Sequence, residues 1–87
     1  STTNPPKPTP GLSMGYKCVG TDASYYVFIN SEKEVKVSFP NSDSLTISQV
    51  VADQEVAGTD YISDPKGVSV SGDKITLDPA TAVIFKK

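Results

Sequence analysis

The strongest constraint on this chain is a side-chain period of two, broken at short intervals by turn residues. "LSMGYKCV" puts Leu12, Met14, Tyr16 and Cys18 on one face. "EVKVSF" points Val35, Val37 and Phe39 inward, and "SLTISQVV" alternates through Leu45, Ile47, Gln49 and Val51. Alternation of this kind fits half-buried strands, and no stretch carries a helical repeat of useful length. The breaks are turn chemistry: "GTDAS", "NSEKE", "NSDS", "DPKG" and "DPA", rich in residues that bond back to their own backbone or fix φ. The pattern predicts an all-β fold, a β-sandwich of about seven or eight short antiparallel strands spaced about 8 to 12 residues apart.

Particular segments sharpen this. "VSVSGDKITL" is the best hairpin signal, since glycine first in a two-residue loop favours a type II′ turn. Pro40 ends its strand because it has no N–H for the ladder. Gln49 interrupts an apolar face, which predicts a bulge or a sheet edge there. "VAGTDYIS" predicts a bend at Gly58 and a short strand around Tyr61 and Ile62. "YYVFIN" is apolar on both faces, with Tyr25, Val27 and Ile29 on one side and Tyr26 and Phe28 on the other. A two-sided strand is central or is covered by another body. The chain finishes on "LDPATAVIFKK", a last strand, and such an ending is expected of a complete small module or of the closing module of something larger.

Residues 1–11 belong to a different regime. Four of the seven prolines fall in "STTNPPKPTP", so this stretch reads as a semi-rigid spacer. The β-domain is expected over residues 12–87, roughly 75 residues, near the lower limit for one unaided core. With neither an initiator methionine nor a signal peptide, the chain is expected to be a fragment or a processed product. Ten acidic and eight basic side chains give a net charge of −2, dispersed with no basic cluster to face phosphates. Nucleic-acid binding is therefore not expected, and no apolar run reaches membrane-spanning length. A monomer is expected.

Chemistry is sparse. Histidine and tryptophan are absent and Cys18 is the sole cysteine, which removes the usual general base, the usual zinc ligands and an internal disulfide. Cys18 reads as a small buried hydrophobe. Asp22, Glu32, Asp43, Asp64, Asp73 and Asp78 fall in turns, while Glu34, Asp53, Glu55 and Asp60 read as solvent-facing or edge positions. No catalytic residue, cofactor or metal ligand is expected. Binding is harder to dismiss, because tyrosines can stack on sugar rings. Tyr16, Tyr25 and Tyr26 read as half-core residues; Tyr61, beside the Gly58 bend, is the candidate glycan contact.

From Tyr25 onward, "YYVFINSEKEVKVSFP", "VVADQEVAGTDYI" and "VSVSGDKITLDPATAVIFKK" follow in an order and spacing that resembles, over roughly residues 16–87, the C-terminal β-domain of bacterial type I pullulanases, debranching enzymes of the α-amylase superfamily. The resemblance implies a Greek-key β-sandwich that packs on a (β/α)₈ catalytic barrel in the same polypeptide and supports it, in a secreted or cell-surface hydrolase of pullulan, starch or glycogen. The family's catalytic carboxylates lie in the barrel, and none maps here. In that setting Tyr26 and Phe28 are expected to dock on the barrel, with Tyr25, Val27 and Ile29 filling the sandwich. A proline-rich spacer in front is unlike the family, and it suits the alternative of a free-standing module binding glycan or a cell-surface protein. A third class, the structural spacer of a surface protein, stays open as well. A large exposed apolar patch would favour docking; a concave face with exposed tyrosines would favour binding.

Overall fold

The computed structural model describes residues 13–87; Leu12 and the proline-rich segment 1–11 lie outside them. Seven strands make up the described chain: β1 (Met14–Val19), β2 (Ser24–Asn30), β3 (Val37–Pro40), β4 (Val50–Ala52), β5 (Val68–Ser71), β6 (Lys74–Leu77) and β7 (Thr81–Lys86). They form two antiparallel sheets, ordered β1-β2-β7-β4 and β3-β6-β5. The chain changes sheet after β2, β3, β4 and β6, and β7 returns to lie between β2 and β4. The fold is an all-β sandwich in which chain neighbours and sheet neighbours differ, as Greek-key connections require.

The core lies between the sheets. Tyr26, Val83, Phe85 and Val50 come from the four-stranded sheet, Ile75 and Leu77 from β6, and Leu45 from the β3–β4 connection. Phe28 meets Phe39 of the opposite sheet at 5.2 Å between ring centroids, and Phe85 edge-on at 5.8 Å. Each fully buried aliphatic or aromatic side chain contributes about 1.5–3 kcal/mol, so this small cluster carries most of the driving force. The β5–β6 hairpin is as the sequence predicts: Ser71 faces Lys74, and Gly72 alone in the two-residue loop has positive φ, at 58°, the type II′ geometry.

Three local expectations need correction. Val35 does not join β3; it is exposed in the preceding turn, and its carbonyl accepts from Asn30 Nδ2 at 2.9 Å, so a side chain takes the place of a ladder partner. The run from Leu45 to Val51 is not one alternating strand. Ile47–Gln49 is a 3-10 turn, because Gln49 Oε1 accepts from the Thr46 N–H at 2.7 Å and closes the chain on itself, in the manner of a capping box. Only Val50–Ala52 remains as strand, all buried, at the sheet edge, with a register shift against β7 between Val50 and Ala52. Around Tyr61 and Ile62 there is no strand: Ile62 N–H donates to the Val50 carbonyl at 2.9 Å, and residues 53–67 run as a loop.

Candidate functional site

The antiparallel register decides which side chains share each face of the four-stranded sheet. Met14 pairs with Ile29 and Ile29 with Ala82; Tyr16 pairs with Val27 and Val27 with Ile84; Cys18 pairs with Tyr25 and Tyr25 with Lys86. These three rows all lie on the side away from the core, and every member but Lys86 is apolar. Met14 is 50% and Tyr16 47% exposed; Cys18 and Ala82 are exposed, and Tyr25, Val27, Ile29 and Ile84 are half-buried by one another.

The outer face of the other sheet is a different surface. Ser38 pairs with Thr76 and Thr76 with Ser69; Pro40 pairs with Lys74 and Lys74 with Ser71. Ser38 and Thr76 hydroxyls bond each other at 2.8 Å. A sandwich alternates polar-out and apolar-in on both sheets when both outer faces meet water. Here only the three-stranded sheet follows that rule.

This geometry reverses the facing expected for β2. Tyr26 is 5% exposed and belongs to the core cluster, and Phe28 packs against the same cluster, because their cross-strand partners Phe85 and Val83 point inward. Tyr26 and Phe28, expected to face a barrel, therefore face the interior, and Tyr25, Val27 and Ile29, expected to fill the sandwich, face outward. Cys18 is corrected for the same reason: paired with Tyr25, it shares the outer face and is exposed rather than buried.

Gly15 and Lys17, on the inner side of β1, explain how an edge strand without an opposite partner is held. The Phe28 ring lies over Gly15, where a Cβ would approach it to 2.9 Å. Lys17 Nζ stands 5.2 Å from the Tyr26 ring centroid, a cation–π placement. Between this strand and β3 opens a cleft of about 280 Å³ walled by Lys17, Tyr26, Phe28, Phe39 and Asp43.

Tyr61 is 57% exposed and stands at the rim of the apolar face, with Lys86 Nζ 5.9 Å from its ring centroid. Its loop is pinned by Asp53, a residue expected at a solvent-facing or edge position and found just after edge strand β4. Asp53 Oδ1 accepts from the Glu55 and Val56 amides at 2.8 and 2.7 Å, and Oδ2 from the Lys66 amide at 2.6 Å. Partial burial pushes the Asp53 carboxyl up, but these amides together with the Lys66 charge outweigh it and hold the group below its ordinary value. Aspartate opening a long loop, an Asx-turn signal, was the clue available. Among the described residues no group of three or more His, Cys, Asp or Glu side chains could hold a metal ion, and no helix is long and apolar enough to cross a membrane.

A small sandwich with one polar and one apolar outer face has the form of an accessory β-domain. The chain belongs to the SpuA C-terminal family, whose model matches residues 5–87. Among solved structures, it is similar to the Group B Streptococcus pullulanase SAP, with TM-score 0.77 and 28% identity over 87% of this chain and 10% of that one. The same figures hold for that enzyme in complex with maltotetraose. The catalytic module of the multi-modular glycogen-degrading pneumococcal virulence factor SpuA shares the fold, with TM-score 0.74 and 24% identity over 86% of this chain and 11% of that one. No curated protein matches the chain. The chain thus spans about a tenth of the length of the solved enzymes it matches. It corresponds to the small C-terminal β-domain of pullulanase-type glycoside hydrolases, which by itself is their non-catalytic part.

Proposed function

We propose that this domain packs the outer face of its four-stranded sheet on the catalytic domain of the same polypeptide and stabilises it, within a secreted or cell-surface enzyme acting on pullulan, starch or glycogen. The observation that carries the reading is the contrast between the two outer faces. Three cross-strand rows, apolar except for Lys86, face outward on one sheet, and a surface of hydroxyls with Lys74 and Pro40 covers the other. Monomeric domains rarely leave contiguous apolar patches of more than a few hundred Å² open to water. The relatives support the choice of partner, since a matching domain forms part of a solved pullulanase and of a chain described as a catalytic module. Tyr61 is carried as the candidate glucan contact, because its ring is exposed on a pinned loop at the rim of this face.

Cys18 offers the test, since it lies on the proposed interface and is the sole cysteine of the chain. Alkylation of the 87-residue chain by iodoacetamide should run at the rate of an exposed thiol. In the parent enzyme, the peptide carrying Cys18 should be protected at least tenfold. Equal rates in the two settings would refute packing through this face. A titration with maltotetraose, followed by amide NMR, tests Tyr61 separately: shifts confined to its loop support the contact, and an unmoved spectrum removes it.

A further inference from the structure

The hydrogen-bond register of β1 carries a second conclusion. Ser24 exchanges both backbone hydrogen bonds with Lys87, at 2.8 and 2.9 Å, so its N–H and C=O point toward β7. Backbone groups alternate along an antiparallel strand, so Tyr25, Val27 and Ile29 bond toward β1. Their partners are Cys18, Tyr16 and Met14, and the bond from Gly20 N–H to the Ala23 carbonyl at 2.9 Å continues the same phase. It follows that the N–H and C=O groups of Gly15, Lys17 and Val19 point away from β2, along the open edge of the sheet. No described residue pairs with them.

The other edges are blunted. β4 is three residues long, carries the register shift, and is flanked by the 53–67 loop, which bonds to it at Val50. β3 ends in Pro40, and both β3 and β5 are four residues long. β1 is six residues long, contains no proline, and is exposed at every position. A long open edge of this kind is a template for another strand unless something covers it.

We propose that this edge takes an extended segment of the parent's catalytic domain by strand addition, so that Gly15, Lys17 and Val19 extend the four-stranded sheet into the neighbouring domain. The inference rests on the docking reading above and specifies its hydrogen-bonding part: the open edge is continuous with the apolar face at Met14, Tyr16 and Cys18, so one partner would meet both. A second copy of this chain fits less well. The two-fold antiparallel register that satisfies Gly15, Lys17 and Val19 together sets Lys17 opposite Lys17, and like charges directly opposed are unfavourable. The preceding segment fits less well too, because four of its first ten residues are prolines with no N–H to give.

Proline at position 17 separates the possibilities, since it deletes an N–H on the open edge and leaves the β1–β2 ladder its bonds. Lys17→Pro and Lys17→Ala, which share the loss of the ammonium, should have equal melting temperatures in the 87-residue chain. In the parent enzyme Lys17→Pro should melt several degrees below Lys17→Ala, and the amides of Lys17 and Val19 should exchange at least 100-fold more slowly than in the chain alone. Equal melting of the two variants in the parent, with Cys18 still protected from alkylation, would overturn strand addition and leave docking intact. Loss of Cys18 protection as well would overturn both. Concentration-dependent dimers of the 87-residue chain, abolished by Lys17→Pro, would replace the catalytic domain with a second copy as the occupant.

Discussion

Replacing Asn30 tests whether the two sheets are tied by a single side chain. Asn30 is buried at the end of β2. Its Nδ2 donates to the carbonyls of Val35 at 2.9 Å, Leu77 at 3.2 Å and Asp78 at 2.9 Å, while Oδ1 accepts from Glu32 N–H at 2.9 Å and Ser13 Oγ at 3.2 Å. One amide thus joins the end of β2 to the β2–β3 turn and to the end of β6 in the other sheet. A typical internal hydrogen bond contributes about 1 kcal/mol net, and a buried group left without a partner costs about 1–3 kcal/mol. Val35 is exposed and Asp78 half-exposed, so their carbonyls recover water in Asn30→Ala, whereas Leu77 is fully buried. Weighting the five contacts this way gives a loss of about 3 kcal/mol, a large fraction of the roughly 4–11 kcal/mol expected of a domain this size. Asn30→Asp should be worse at neutral pH, because it aims a carboxylate at three carbonyl oxygens. That carboxyl would titrate above its unfolded value near 3.9, so its extra penalty is absent below about pH 4 and grows as pH rises. Urea unfolding of both variants at pH 7 and pH 4 reads these quantities. Asn30→Ala within 1 kcal/mol of the native chain, or Asn30→Asp as stable as Asn30→Ala at pH 7, would refute the argument.

Other perturbations follow from the same contacts. Asp53→Asn can keep two amide bonds but turns a donor toward Lys66 N–H, so it should cost about 1–2 kcal/mol in urea unfolding and accelerate proteolysis within residues 53–67. Because the folded Asp53 carboxyl lies below its ordinary value of 3.8, its stabilisation is present above that pH and is lost as pH falls through the folded value; acid unfolding of Asp53→Asn should lack this component. Gly15→Ala should cost about 1–2 kcal/mol by overpacking against a Phe28 ring that Phe39 and Phe85 hold in place, and Gly15→Ala with Phe28→Leu should recover part of the loss. Ala80, at φ 53°, holds a left-handed conformation that glycine adopts freely, so Ala80→Gly should raise stability by about 0.5 kcal/mol in thermal melts. Phe28→Ser should lower the melting temperature of the 87-residue chain and of the parent alike, whereas Val27→Ser should lower that of the parent more.

Alternation and turn residues are local properties, and what depends on them alone was legible. The β5–β6 hairpin follows from one glycine between two valine–serine and isoleucine–leucine alternators, and β7 follows from "TAVIF" bounded by a turn. Illegible elements were those in which a side chain diverts the backbone. Gln49 was read as an interruption in a strand, but its amide oxygen captures the Thr46 N–H and winds the chain into a turn. Asn30 does the same at a distance by taking the Val35 carbonyl. Asp53 gathers three amides and replaces the strand expected near Tyr61 with a loop. In each case the pattern of apolar residues was intact and a polar side chain bonded to the backbone overrode it.

The candidate surface was legible as two sets of side chains, but the set expected outward, Tyr26 and Phe28, is the one that faces the core. Period two sorts β2 into Tyr25, Val27, Ile29 and Tyr26, Phe28, but both sets are apolar, so nothing within the strand says which set turns inward. The decision comes from β7, which binds β2 along its whole length. β7 offers Thr81, Val83 and Phe85 on one side and Ala82, Ile84 and Lys86 on the other; a lysine at the end of the second set is tolerated at a rim and not in a core. Once β7 turns Phe85 and Val83 inward, Tyr26 and Phe28 must follow, because register in a paired sheet carries every side chain with it. The apolar set left outside is then larger than the domain's own folding requires. Selection for folding of these residues alone would favour polar side chains at Val27 and Ile29, as at Ser38, Ser69 and Thr76 on the other sheet. Apolar residues on one outer face and hydroxyls on the other are the asymmetry that the proposed packing on a catalytic domain would require.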